Sequence, residues 1–267
     1  MRPDWLLLTG LQSCRARVRR RDRSQPRIAG VMQVKNYRDS CSVFESLRAL
    51  ADFTIVLDDN STAPFKYRDR CDEYLTLANT GPWNAVANRM LLSQRAFVHG
   101  CRWLVEMDDD IVFSNGFQTR ADVLSLIEEA ERRRADVLLF RLRDLWESTH
   151  QFRADGIWAR KTFNVLVRNW FYYRSITLRD PARRLHSPFF PANMHPRRVV
   201  VEHHVAYHTG CLTREARLRR VEKYRHEDPD NAFQRDYEYM LSDDGLRVAP
   251  VPEEDVPILE RKIRLEI

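Results

Sequence analysis

Trp103-Leu104-Val105-Glu106-Met107-Asp108-Asp109-Asp110-Ile111-Val112-Phe113 is the stretch that decides the fold: an apolar run stops at three consecutive carboxylates, and hydrophobicity then resumes. Runs like its first half are strands buried on both faces of a sheet. In open α/β sheets, ligands bind in the crevice outside the carboxyl ends of the strands. Three adjacent carboxylates repel one another, and a divalent cation relieves that repulsion while offering hard charge to phosphate oxygens. The pattern points to a metal and nucleotide site, with a solvated acidic turn as the competing reading.

Upstream, Ile28-Ala29-Gly30-Val31-Met32-Gln33-Val34 has the same buried-strand pattern. Lys35-Asn36 and a helical stretch to Leu50 follow, with Phe44, Leu47 and Leu50 at helical spacing. Phe53 to Leu57 is a second apolar strand that ends in Asp58-Asp59-Asn60-Ser61-Thr62. A short strand is expected over Tyr74 to Leu77, and Gly81-Pro82 opens a helix carrying Ala85, Val86, Met90, Leu91 and Phe97.

Downstream, Thr119 to Asp122 starts a helix with Val123, Leu124, Ile127 and Ala130 along one face. Asp136 to Leu142 and Val199 to Tyr207 read as strands, and Thr213 to Tyr224 as a basic helix. The acidic stretch Asp243 to Asp255 is expected to pack across the surface. Residues 143 to 202 are rich in aromatics and arginines and broken by Pro181, Pro188, Pro191 and Pro196, so they resist assignment. This order of elements predicts an α/β fold with a mainly parallel central sheet flanked by helices.

With 267 residues, 43% of them hydrophobic, the chain can bury a full core, which excludes disorder of the whole. A net charge of +6 and a pI near 9.2 suit anionic partners. Seven arginines fall between Arg15 and Arg27, so residues 1–27 are expected to form a flexible basic arm. The apolar patch Trp5 to Leu11 followed by arginines makes residues 5–23 a candidate for peripheral contact with an anionic membrane. The five cysteines include no C-x-x-C pair, which disfavours a disulfide scaffold or zinc site and makes a reducing cytoplasm the default. No stretch reaches the ~18 to 20 apolar residues of a membrane span. Localisation is expected to be cytoplasmic, with the inner face of the membrane as the place of any docking.

The second strand and the later strand both end in adjacent carboxylates, Asp58-Asp59 and Asp108-Asp109-Asp110. Neighbouring strands would bring the two clusters to one crevice, where a nucleotide could lie across them. These features resemble glycosyltransferase family 2 enzymes of the GT-A nucleotide-sugar fold, over about Ile28 to Asp228. Val31 to Asn36 looks like the family's first strand and nucleotide loop, Leu57-Asp58-Asp59-Asn60-Ser61-Thr62 like its DDxS element, and Asp108-Asp109-Asp110 like its DxD metal motif. Phe152-Arg153-Ala154-Asp155-Gly156 and His208-Thr209-Gly210-Cys211-Leu212-Thr213-Arg214-Glu215 are similar to its acceptor-side and late histidine segments. Cys211 departs from the aromatic expected beside that histidine.

The resemblance implies a single GT-A-like catalytic domain over 28–267. Within it, 28–113 is a Rossmann-like half that binds the nucleotide sugar, and 114–267 is an acceptor-binding half with C-terminal helices. It implies a nucleotide-diphosphate sugar donor contacted by Gln33, Lys35, Asp58, Asp59, Arg89, Asp108 and Asp109, with Asp59 on the base and Asp58 supporting the loop. Mn²⁺ or Mg²⁺ would be held by Asp110, with Asp108 on the nucleotide side or a metal-bound water and His208 as a further ligand, for which His203 and His204 compete. The implied reaction is attack by an acceptor hydroxyl on the anomeric carbon with inversion, which needs a general base. Asp155 is the first candidate, with Asp144 and Glu147 as alternatives. Trp146 and Trp158 are candidates for stacking on a sugar, or for the core. The acceptor is expected to be a glycan, a lipid or a small molecule.

Two alternatives stand beside this reading. A nucleotidyltransferase shares the acidic site but usually carries a glycine-rich phosphate loop, and Gln33-Val34-Lys35-Asn36-Tyr37-Arg38 has no glycine. A nucleic-acid-binding protein would use the arm with Arg132-Arg133-Arg134 and Arg217, Arg219 and Arg220. No recognisable nucleic-acid module accompanies those charges, so nucleic acid is not the expected partner.

Overall fold

The computed structural model describes residues 26–38, 41–78, 83–172, 190–191, 193–232, 234 and 236–263. The arginine arm up to residue 25, the membrane-contact segment 5–23, the Gly81-Pro82 helix start, and Pro181 and Pro188 lie outside them.

Strand β1 (Ile28–Val34) is buried along its whole length, because it pairs in parallel with β2 (Phe53–Asp59) on one side and β4 (Trp103–Met107) on the other. β3 (Glu73–Leu77) continues the parallel set beyond β2. Gly30 lets helix α1 (Val43–Leu50) settle against β1: a Cβ there would lie 2.8 Å from Leu47 Cγ and 3.0 Å from Ala51 Cβ. Helix α2 (Ala85–Val98) starts at Asn84, whose side chain accepts from the Ala87 N–H at 3.0 Å. Helix α3 (Arg120–Arg133) carries a reciprocal capping box between Thr119 and Asp122.

The remaining strands are β5 (Ile111–Phe113), β6 (Val137–Asp144), β7 (Gln151–Arg153), β8 (Thr162–Arg168), β9 (Arg198–His208) and β10 (Val248–Pro250), with helices α4 (Arg214–Glu227) and α5 (Val256–Lys262). Among the described residues, the main sheet has eight strands in the order β3-β2-β1-β4-β8-β6-β9-β5, and β10 pairs with β7 in a second, two-stranded sheet. Six of the eight strands run one way and only β8 and β5 are reversed, so the sheet is mainly parallel as expected. Apolar residues of α1 and α3 pack in one core cluster, and Leu91, Leu92 and Ala96 of α2 pack in another with Trp170. Among the described residues, no helix is long and apolar enough to cross a membrane.

Three expectations change. The stretch 103–113 is two strands: β4 lies in the middle of the sheet and β5 at its edge, antiparallel to β9. The carboxylate triplet is the crossing between them. The segment 143–202 contains β8, which sits centrally between β4 and β6. Its motif Thr162-Phe163-Asn164-Val165-Leu166-Val167-Arg168 is an ordinary buried strand, obscured by the polar and aromatic residues around it. Residues 243–255 are tied into the fold, since Val248–Pro250 form a strand and buried Asp255 accepts from Tyr207 OH and the Asn115 N–H, both at 2.7 Å.

Candidate active site

Sheet register assembles the site. Pairing of β5 with β9 sets Ile111 opposite His208, and the Thr209 N–H donates to the Asp110 carbonyl at 2.9 Å. Pairing of β6 with β9 sets Asp144 opposite the same histidine. The side chains then form a chain of contacts. Lys161 Nζ donates to Asp144 Oδ2 at 2.9 Å, and Asp144 Oδ1 lies 2.6 Å from His208 Nδ1. His208 Nε2 lies 2.8 Å from Asp110 Oδ2. Arg220 Nη1 reaches both of the latter, 3.1 Å from Asp110 Oδ2 and 2.8 Å from His208 Nε2.

Burial by itself opposes the charged form of each group, and the partners reverse it. His208 is raised well above its ordinary value because Asp110 and Asp144 favour the imidazolium. Asp110 and Asp144 are both held below the usual carboxylate range, chiefly by His208. The carboxylate and the imidazole nitrogen approach so closely that positive charge must lie between or beside them: a proton, the Arg220 guanidinium or a metal ion.

In front of this cluster, outside the carboxyl ends of β1 and β4, opens a cavity of about 500 Å³. Asp108, Asp109 and Asp110 line it together with Lys35, Arg89, Lys161, Arg220 and Lys223. Several of the cations are paired: Arg89 with Asp108 at 3.3 Å and Glu106 at 3.8 Å, and Lys35 with Glu227 at 3.7 Å. Glu106 is pushed up to about 8 by burial, against the pull of Arg89. Asp109 is pushed up to about 7 by burial and by its neighbour Asp110. At the end of β1, Gln33 lines the cavity while almost fully buried, and its Oε1 has no hydrogen-bond partner among the described residues. Such an acceptor is costly unless a ligand or water supplies a donor.

No protein-family model matches the chain, and no curated protein matches it. Among solved structures, it is similar to Rv0371C complexed with manganese from Mycobacterium tuberculosis H37Rv, at 14% identity over 73% of this chain and 98% of that one, with a TM-score of 0.35. A mycobacterial protein is similar at 18% identity over 47% of this chain and 43% of that one, with a TM-score of 0.31, so the chain spans less than half of its length. Mannose-1-phosphate geranyltransferase from Thermus thermophilus is similar at 12% identity over 54% of this chain and 50% of that one, with a TM-score of 0.30. Likenesses this distant leave the functional reading to the residues themselves.

Of the residues singled out in the sequence, the structure gathers Gln33, Lys35, Arg89, Asp108, Asp109 and Asp110 around the cavity, with His208 and Asp144 directly behind Asp110. His203 and His204 do not join them; the first is exposed, and the second packs against Phe117 and Phe140. Asp58 and Asp59 do not line the cavity. Asp58 accepts from the Ser61 N–H at 2.9 Å and from Tyr74 OH at 2.6 Å, and fully buried Asp59 accepts from Asn88 Nδ2 at 3.0 Å.

The candidate bases also move. Asp155 is held by Arg153 at 2.9 and 3.2 Å and by the Arg247 N–H, away from the cavity lining, and these bonds keep its carboxyl below the usual range against a desolvation cost. Glu147 is an exposed partner of buried Arg217, and Asp144 has no exposed surface and is already bonded to His208 and Lys161. Trp146 and Trp158 are core residues with cations on their faces, Arg217 at 4.0 Å from the first and Lys161 at 3.7 Å from the second.

Sequence reasoning missed Lys161, Trp83, Tyr239 and one face of α4. Arg220, Lys223, Tyr224 and Glu227 all line the cavity, at the i, i+3, i+4, i+7 spacing of a single helical face. That spacing was the available signal, hidden because the whole helix is basic. Cys211 lines the cavity as well and forms, with Asp144 and His208, a buried group whose ligand atoms lie within 4.8 Å of one another.

Proposed function

We propose that the chain is a metal-dependent glycosyltransferase that moves a sugar from a nucleotide-diphosphate sugar to an acceptor hydroxyl. The observation that carries this reading is the meeting of Asp110 and His208 at 2.8 Å on the wall of a cavity lined by lysines and arginines. The family resemblance of Asp108-Asp109-Asp110 and of the His208 segment supports it.

The donor set suits Mn²⁺ or Mg²⁺. A carboxylate and an imidazole nitrogen converge, and the other ring nitrogen is oriented by the Asp144 carboxylate, the usual arrangement behind a metal-bound histidine. Gly210 keeps the meeting point open: a Cβ there would lie 2.6 Å from Asp110 Oδ2 and 2.8 Å from His208 Nε2. Asp110 and His208 would hold the cation, with Asp108 on its nucleotide side. Bound there, the cation supplies charge stabilisation for a leaving diphosphate.

The protein's own groups do the rest. Lys35, Arg89 and Lys223 offer further positive charge to phosphate oxygens. Gln33 Oε1 accepts a hydrogen bond from the base or ribose. Trp83, with Lys223 Nζ 5.4 Å from its ring centre, offers a flat wall to a ring. For the acceptor proton, the cavity carboxylates Asp109 and Glu227 replace Asp155 and Glu147.

The test is incubation with UDP-, GDP- and dTDP-sugars and Mn²⁺, with nucleoside diphosphate measured. Release is expected to require the metal and to vanish in Asp110→Ala. Undiminished release by that variant sinks the metal assignment, and release of pyrophosphate in place of nucleoside diphosphate identifies a nucleotidyltransferase.

A further inference from the structure

Arg220 stands where the proposed cation would have to be. Its Nη1 is 3.1 Å from Asp110 Oδ2 and 2.8 Å from His208 Nε2, within reach of both ligand atoms at once. A Cβ on Gly210 would lie 2.3 Å from that same Nη1, so carboxylate, imidazole and guanidinium all converge on the space the glycine leaves. The other guanidinium nitrogen, Nη2, donates to Tyr224 OH at 3.0 Å, which holds the group in place from one turn along α4.

A divalent cation bonded to a carboxylate and an imidazole takes ligand distances of about 2.0–2.2 Å. It cannot do so with a guanidinium nitrogen already at 3.1 Å from one ligand atom and 2.8 Å from the other, and the two positive charges repel at such range. Cation and guanidinium are therefore alternatives at this point.

We propose that Arg220 is a competing occupant of the cation position, displaced when the metal enters and turned toward an anionic group in the cavity. The inference rests on the reading of Asp110 and His208 as metal ligands. Arg220 lines the cavity beside Lys223, and a guanidinium fork pairs well with phosphate oxygens. Metal alone must push the guanidinium off its partners and leave it without new ones. Metal together with a diphosphate gives it replacements, so Arg220 couples the two bindings and weakens metal binding in the absence of the donor.

The experiment is Mn²⁺ titration of the full chain without nucleotide, by calorimetry, comparing wild type with Arg220→Met. Removal of the competitor is expected to tighten Mn²⁺ binding by roughly tenfold, within the usual range of coupling between two ligands. Equal or weaker Mn²⁺ binding by Arg220→Met, when wild type binds, overturns the competition and leaves the metal site standing. No binding by either chain removes the metal reading and this inference with it. Tyr224→Phe releases the Nη2 anchor alone and is expected to tighten Mn²⁺ binding by a smaller factor. This second variant decides the matter should Arg220→Met fail to fold, and its unchanged affinity would then count against the competition.

Discussion

The two carboxylate clusters look alike in sequence and have different fates. Both Asp58-Asp59 and Asp108-Asp109-Asp110 come at the end of an apolar strand of a parallel set. After β2 the acids are taken up by the surrounding protein: the Ser61 N–H of the following turn and Tyr74 OH of β3 bond Asp58, and Asn88 of α2 bonds Asp59. After β4 the chain crosses to a strand at the sheet edge, so the triplet spans a gap and its carboxylates line the cavity. A strand-end acid can thus be bonded by the protein around it or left facing a cavity, and the path the chain takes after the strand decides which.

The largest effect that would sharpen this contrast belongs to Asp144, which anchors the triplet's histidine from the buried side. Asp144→Ala leaves His208 and Lys161 without their carboxylate and is expected to cost about 3–5 kcal/mol in denaturant unfolding, as for other broken buried pairs. The milder Asp144→Asn is expected to weaken Mn²⁺ binding by roughly 10- to 100-fold in calorimetry. The lowered carboxyl of Asp144 contributes stability that is fully present above its ordinary value of 3.8 and is lost as pH falls through the folded value. The acid-side fall of the unfolding midpoint should therefore be shallower in Asp144→Asn than in wild type.

An intermediate effect is expected at Asp59. Asp59→Ala leaves the buried Asn88 amide without this acceptor, at about 1–3 kcal/mol in thermal or denaturant unfolding. Mn²⁺ affinity should be unchanged, and a drop comparable to that of Asp144→Asn would break the distinction between the two clusters.

The smallest effect is at Asp58. Tyr74 is pushed up to about 12 by burial and by its bond to Asp58. In Asp58→Asn its phenolate absorbance should appear at a lower pH, closer to the ordinary value of 10.0, with Mn²⁺ binding unaffected. A phenol that still titrates as in wild type would show that the Asp58 contact contributes nothing.

Much of the parallel half was legible because its strands are continuous apolar runs and its helices show clear periodicity. Ile28–Val34 is found where the pattern set it, and β2, β3 and α2 begin within a few residues of expectation. The central strand β8 was not legible, because seven residues of mixed polarity flanked by arginines and tryptophans carry too little contrast. Within the site, the acidic triplet and His208 stand out by residue type. Asp155 stood out in the same way, yet its charge is taken up by Arg153 two residues away.

Local composition and periodicity determined by themselves the α/β class, the strands of the first half and the acidic crossing, since these depend on residues close in sequence. Only the tertiary structure decided that His208 meets Asp110 across 98 positions and Asp144 across 64, and that one face of a basic helix closes the cavity. The physical reason is that these contacts depend on which strands pair and in what register. Strand pairing is settled by burial of the whole sheet, and no short stretch of sequence records it.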